Sequence, residues 1–317
     1  MRHDHTPFRH AARLTFAATA LTLFALPCFA ETKTIFAPGV TIDSGWYDVN
    51  KKSTETVSQI DFVACWGAAA SNMLQYWQDT YTAAGNILPE GTPNGVGTKE
   101  YAEGKGTYEL AIFEQYLDHW ESTGGDPLPA IQWYLNGYVH NTTGVSKPTS
   151  GNGGFFSDEY DSIVQVCGSD FISCTQKFDD NGGWGSESSQ QALSVLSEHI
   201  ISILEEGVGS IVIKPATILH SITLWGAEVN ENNQLTAVYI TDSDDALRGG
   251  SSDPLRRYSV AAGSSAGSVQ LLETDYGSVE ITKIYGLTAY PIPEPSAFGL
   301  LAGVFALVFG ASRRHRK

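Results

Sequence analysis

The sequence predicts an α+β fold, with helices filling the first half of the chain and an antiparallel sheet the second. Three observations lead there. In the first half, and once more over 190–206, apolar residues recur at helical spacing. After Gly207 the pattern switches to alternation with period two. Neither an internal repeat nor a linker interrupts the stretch from Glu31 to Tyr290, so residues 31–290 are read as one domain. At 317 residues, 42% hydrophobic and 11% aromatic, the chain is long enough to bury a sizeable core.

Taken in order, Thr34 to Val49 alternates apolar and polar residues around Gly39 and Gly45, and Gly45-Trp46-Tyr47-Asp48-Val49-Asn50-Lys51 reads as a strand running into a turn. Cys65 opens the next element. Small residues follow it (Gly67, Ala68, Ala69, Ala70, Ser71), then Met73, Leu74, Tyr76 and Trp77, and neither Gly nor Pro interrupts Ala68 to Tyr81. That composition suits a helix packed closely in a core. Residues 84–106 are rich in Gly, Pro and Asn and read as an exposed loop. Thr107 to Tyr116 and Ala130 to Tyr138 carry helical spacing, separated by a break at Gly124 to Pro127. Residues 141–188 are polar and glycine-rich and read as a long loop. Gln190 to Glu206 is an amphipathic helix with Leu193, Leu196, Ile200, Ile203 and Leu204 on its core face and Gly207 as its stop. Strands are expected over 210–213, 220–229 and 235–242, the last two joined by a turn at Asn230 to Gln234. Shorter ones are expected near 269–272, 279–284 and 287–290.

Both ends read as targeting segments. Residues 1–30 carry Arg2, Arg9 and Arg13, an apolar run from Leu14 to Leu26, and Cys28-Phe29-Ala30 before Glu31: a secretory signal peptide cleaved after Ala30. Residues 291–317 contain Pro293-Glu294-Pro295-Ser296, an apolar run from Ala297 to Ala311 and a basic end, Arg313-Arg314-His315-Arg316-Lys317, the pattern of a short membrane anchor held by cytoplasmic charges. The last 25 residues also resemble the PEP-CTERM sorting tail of Gram-negative bacteria, which implies handling by exosortase-type machinery and a periplasmic, cell-surface or extracellular destination after transient anchoring.

The first segment holds three of the 19 Lys and Arg and one of the 35 Asp and Glu; the last holds four and one. The domain between them keeps 12 basic and 33 acidic residues, a formal charge of −21. Nucleic acid is excluded as a partner, because phosphate binding needs a basic footprint. Membrane contact is confined to the C-terminal tail. Asp179-Asp180-Asn181-Gly182 lacks the rest of a calcium loop, so neither a metal nor another cofactor is expected.

Removing Cys28 with the signal leaves Cys65, Cys167 and Cys174 in an oxidising compartment. Cys167 and Cys174 stand seven apart, and closing so short a loop would contribute roughly 2–3 kcal/mol in the chain-entropy view. Cys65 is then the unpaired one. At a helix N-terminus its thiol feels free backbone N–H groups and the positive end of the dipole, both of which favour thiolate. Such a nucleophile needs a base. His119 and His199 lie in helical segments and His140 borders a loop, positions that suit surface or capping roles. His220 instead opens a strand and Asp242 closes the next, so a short hairpin places both near one end of a sheet. A carboxylate beside an imidazole fixes its tautomer and supports its positive charge, as a base serving a cysteine requires.

The motifs Gly45 to Lys51, Cys65 with Asn72-Met73-Leu74, Leu135-Asn136-Gly137-Tyr138, His220 to Ala227 and Tyr239 to Asp244 together resemble the IdeS/Mac family of secreted, papain-like cysteine endopeptidases, over about residues 39–290. The resemblance implies a papain-like fold and peptide-bond hydrolysis in protein or peptide substrates. It also implies Cys65 as nucleophile, His220 as general base and acid, Asp242 as the residue orienting it, and Lys51 as an oxyanion donor with the Cys65 N–H. Two features depart from the family: Trp66-Gly67 is closer to papain's own sequence, and Gln59, six residues before Cys65, stands where papain-like enzymes place an oxyanion glutamine. Lys51 is preferred and Gln59 is its rival. The family's immunoglobulin specificity does not carry over. Two alternatives share parts of this pattern: a non-catalytic exported matrix or adhesion protein, and a papain-like acyltransferase or amidase.

Overall fold

A computed structural model describes residues 32–52, 61, 63–99, 107–121, 124–139, 147–149, 151–177, 184–185, 188–216, 218–244 and 255–292. The expected signal segment, the expected sorting tail from Pro293 onward, Gln59, His140 and Asp179 to Gly182 fall outside them. Among the described residues no helix is long and apolar enough to cross a membrane.

The architecture is α+β. After a short strand β1 (Lys33–Phe36) come helices α1 (Cys65–Ala83), α2 (Ala111–His119), α3 (Pro127–Asn136) and α4 (Tyr160–Cys167), strand β2 (Ile172–Gln176) and helix α5 (Ser189–Glu206). Six strands complete the chain: β3 (Gly207–Lys214), β4 (His220–Val229), β5 (Leu235–Thr241), β6 (Arg256–Ala262), β7 (Val269–Thr274) and β8 (Gly277–Thr288). They pair in the order β4-β3-β8-β7-β6-β5, and β5 pairs back onto β4, so the sheet closes into a six-stranded antiparallel barrel. Closure removes the edges these strands would otherwise expose. β1 extends the sheet alongside β4 and β2 alongside β8. Helix α5 touches all six barrel strands and buries Ala192, Leu193, Leu196, Ile200 and Leu204 among them, so it caps the barrel rather than lining one wall.

Helix α1 lies between α2 and α3 on one side and β3 and β4 on the other. Every residue from Cys65 to Gln78 is buried, which is why its sequence is small and apolar almost all round. Most of its buried polar side chains are engaged, although Gln78 Oε1 and Trp77 Nε1 have no hydrogen-bond partner among the described residues. Ser71 donates to the Gly67 carbonyl, Gln78 to the Tyr134 hydroxyl and Gln75 to Asn94. Asn72 accepts the Val49 N–H and donates to the Thr223 hydroxyl, tying α1 both to the segment before it and to β4.

Four sequence expectations need correction. The strand expected over Gly45 to Val49 does not form: Gly45 sits in the left-handed region (φ 87°), and the segment bonds instead to the Asn72 side chain and the Thr241 hydroxyl. The long loop 141–188 contains α4 and β2, which the glycines around them obscure. The two shorter strands expected over 279–290 are one strand, β8, and β6 was not anticipated. Cys167 and Cys174 are separate thiols rather than a disulfide: Cys167 ends α4, and Cys174 stands opposite Tyr285 in the β2–β8 ladder, sharing a hydrogen bond with it.

Candidate active site

Cys65 begins α1 on a turn set by buried Asp61. The Asp61 carbonyl accepts the Ala64 N–H (2.9 Å), while its carboxylate accepts the Lys52 N–H (2.7 Å) and the Tyr108 hydroxyl. One residue thus fixes the entry to the helix and the segment holding Lys51. Just inside the helix, Trp66 anchors the first turn against Tyr116 and Trp120, with ring centroids 5.5 and 4.8 Å away. Among the described residues no side chain caps the N-terminus of α1, and the positive end of its dipole lies beside Cys65.

The barrel supplies the other half. Paired strands β4 and β5 place Thr223 opposite Thr241. Continued past the strand ends, that register puts position 242 opposite 222 and 244 opposite 220, so the side chains of His220, Asp242 and Asp244 share one face. His220 Nε2 lies 2.6 Å from Asp242 Oδ1, with both side chains buried. Asp242 Oδ1 also accepts the Asp244 N–H (3.0 Å), and its Oδ2 accepts the Tyr276 hydroxyl (3.2 Å). With Nε2 committed to Asp242, Nδ1 is the nitrogen left for the Cys65 thiol, which hydrogen-bonds to the His220 side chain and to the Ser221 backbone.

Lys51 completes the arrangement from the segment between α1 and β5. Its N–H donates to the Ser243 carbonyl (2.9 Å), and its buried Nζ lies 2.6 Å from Asp244 Oδ1. Asp244 Oδ2 in turn lies 4.0 Å from His220 Nδ1. His220, Asp242 and Asp244 present three ligand-type atoms within 4.8 Å of one another. Each of them already has a partner of opposite charge or a donor, Asp242 in His220 and Asp244 in Lys51, so the group reads as a charge-paired relay rather than a metal centre.

The electrostatics follow from these contacts. Burial alone pushes the Cys65 thiol up, but the His220 charge and hydrogen bond, with Lys51 behind them, more than offset it and hold the thiol below its ordinary value. Burial pulls His220 down, while the Asp242 carboxylate and the Cys65 thiolate raise it to about 10. Burial likewise opposes ionisation of Asp242, yet His220, the Asp244 N–H and Tyr276 hold its carboxyl below the usual range. Cys167 is the contrast: half-buried, it is pushed up to about 11 by burial. Cys65 is therefore set apart by its surroundings, not by its residue type.

The structure brings Cys65, His220, Asp242 and Lys51 together; Gln59 lies outside the described residues, His119 packs beside Trp133, and His199 is half-buried on α5. Sequence reasoning missed Asp61, Asp244 as the partner of Lys51, and Tyr276. The Asp-x-Asp spacing of 242 and 244 was the available signal for the second of these, since period two puts both carboxylates on one face.

The family model described as Mac 1 matches residues 31–90 and 189–279. The matched segments contain Lys51, Asp61, Cys65, His220, Asp242, Asp244 and Tyr276. A relative, the "IgM protease" of Streptococcus suis (strain P1/7), is 24% identical over 226 residues, covering 63% of this chain. The chain is thus similar to the Mac 1 family over these two segments and to a protease over part of its length. The chain spans only 18% of that relative's length.

Proposed function

We propose that the protein is a cysteine endopeptidase with a papain-like site, in which Cys65 is the nucleophile, His220 the general base and acid, and Asp242 the group that orients it. The observation that carries this reading is the buried line from the Cys65 thiol through His220 to Asp242, in which the thiol is held low although buried. A thiol on the first turn of a helix facing an imidazole on a barrel strand also supports the finer, papain-like description of the fold.

The chemistry is acyl transfer. Cys65 thiolate, stabilised by His220 imidazolium, attacks a peptide carbonyl; the oxyanion forms beside the first-turn N–H groups of α1, with the Cys65 N–H and Lys51 as donors and Gln59 as the rival to Lys51. Because Lys51 is already paired with Asp244, it stabilises the oxyanion as a held charge rather than a mobile donor. His220 protonates the leaving amine, and water then releases the acyl-enzyme. The reaction class, not the substrate, is taken from the relative.

The sequence of the two ends supports export in a Gram-negative bacterium and sorting through the C-terminal tail, with proteins outside the cytoplasm as substrates. The test compares the full chain with Cys65→Ala on a broad protein mixture, alongside alkylation by iodoacetamide. Cleavage by the wild type only, with Cys65 labelled faster than Cys167 at neutral pH, is the expected result. Equal cleavage by both proteins would overturn the reading.

A further inference from the structure

The turn between β7 and β8 is built around one tyrosine. At its start the β7–β8 register shifts between Leu271 and Thr274, and Glu273 adopts a left-handed backbone (φ 56°) although it is not glycine. Bulges of this kind re-aim the residues that follow them and concentrate beside active sites. The buried Thr274 hydroxyl then accepts the Tyr276 N–H (3.2 Å) and donates to the Gly277 carbonyl (2.6 Å), closing the turn on itself. Asp275 is tied across to Arg256 on β6. Gly277 supplies the second left-handed residue (φ 82°).

What this frame presents is the Tyr276 side chain. Its hydroxyl donates to Asp242 Oδ2 (3.2 Å), the carboxylate oxygen that His220 does not use, and its ring lies 5.4 Å from the His220 ring at 51°. The partners of Asp242 are thereby divided: Oδ1 takes His220 and the Asp244 N–H, and Oδ2 takes Tyr276. A carboxylate held at both oxygens cannot rotate about its own axis. The imidazole it serves is also flanked by the tyrosine ring and keeps Nε2 on Asp242.

We propose that Tyr276 is a positioning residue of the thiol site, fixing Asp242 and His220 in the one orientation that leaves Nδ1 to Cys65. It meets the site at Asp242 and at the His220 ring and acts through Asp242. The inference rests on the reading of Cys65 and His220 as a working pair, and it predicts a property of that pair that folding alone does not demand. Without the hydroxyl, the carboxylate is less well aimed and supports imidazolium less well, so thiolate forms at higher pH.

The experiment needs no substrate. Full-length wild type and Tyr276→Phe are alkylated with iodoacetamide from pH 4 to 10, and labelling of Cys65 and Cys167 is followed separately by peptide mass. Wild-type Cys65 is expected to react well below the pH at which ordinary thiols do. In Tyr276→Phe its midpoint is expected to move up by about half to one pH unit, which slows labelling by about three- to tenfold at pH values below both midpoints, one unit being a factor of ten. Cys167 rates should not change. Thr274→Val, which loosens the turn and leaves the tyrosine intact, should shift the midpoint in the same direction by less, and it carries the test if the phenylalanine variant does not fold. A merely structural tyrosine would lower the unfolding midpoint and leave the Cys65 profile in place; profiles overlaying a low wild-type midpoint in both variants would overturn the proposal and leave the peptidase reading standing. A wild-type Cys65 that titrates like an ordinary thiol would overturn both.

Discussion

Replacing Lys51 by Met separates two roles that one ammonium plays. Its Nζ lies 2.6 Å from Asp244 Oδ1, and the lysine side chain is only 3% exposed while that of Asp244 is 18% exposed. At that distance, with an effective dielectric of about 20, the attraction is about 6 kcal/mol. Desolvation of the buried ammonium offsets much of it, and breaking such a pair from one side costs about 3–5 kcal/mol because a charge is left buried. Asp244 keeps some solvent, so Lys51→Met should lose about 3 kcal/mol in urea unfolding. The double variant Lys51→Met/Asp244→Asn removes the stranded charge and should recover to within about 1 kcal/mol of wild type. Thiol reactivity should not recover with it: Lys51 is among the charges that lower Cys65, so alkylation of Cys65 should need higher pH in single and double variants alike. A single variant as stable as wild type, or a double variant no more stable than the single one, would refute the assignment of Asp244 as the partner that Lys51 neutralises.

The pH dependence follows from the two coupled groups. Activity should rise on the acid side as the Cys65 thiol, held below its ordinary value, ionises, and fall on the alkaline side near pH 10 as His220 loses its proton; a kcat/KM profile falling instead near pH 6.5 would count against the pair. Stability carries the same signature. His220 binds its proton more tightly folded than unfolded, so its contribution is complete below the unfolded value of 6.5 and is lost as pH rises through about 10, measurable as a fall in urea midpoint that His220→Asn lacks. Gly125→Ala tests the anchoring of the first turn. An added Cβ would stand 2.8 Å from two ring atoms of the buried Trp66, so it should cost about 1–3 kcal/mol and slow Cys65 labelling, whereas wild-type labelling would show that Trp66 does not hold the thiol in place.

Helices α1, α2, α3 and α5 and the β3–β5 meander were legible because each has one dominant signal, whereas α4 was hidden in the glycine-rich stretch read as a loop. The small-residue run after Cys65 has a single reading, a helix buried all round, and the alternation over 210–213, 220–229 and 235–242 has a single period. β2 was not legible, because Ile172-Ser173-Cys174-Thr175-Gln176 is half-buried on the flank of the barrel and shows no clean alternation. β6 has the same difficulty, since Arg256 and Arg257 at its start face the Asp275 and Glu228 carboxylates and hide the strand among charges. Barrel closure was beyond the sequence altogether: the pairings from β3–β4 through β7–β8 each join strands consecutive in the chain, but the β3–β8 pairing that makes them a ring joins the first strand to the last and follows from how the strands twist and bulge.

The site divides along the same line. Residues proposed for roles that depend on their own strand or helix, Cys65 at a helix start and His220 and Asp242 at strand ends, could be chosen from local pattern, although the pairing of Cys167 with Cys174 that also singled out Cys65 does not form. Those whose role depends on the meeting of segments could not. Asp61 matters because it holds Lys52 and Ala64 at once, and Tyr276 because the bulged tip of β7–β8 reaches Asp242, 34 residues back along the chain. Each lies outside any catalytic pattern, and each bonds a residue or backbone group that fixes one. The proposed reacting groups lie in short motifs, while their alignment is written in the contacts between α1, the segment around Lys51 and the end of the barrel; a substitution that spares every motif residue, such as Tyr276→Phe or Gly125→Ala, should therefore impair the thiol as surely as one that strikes Lys51.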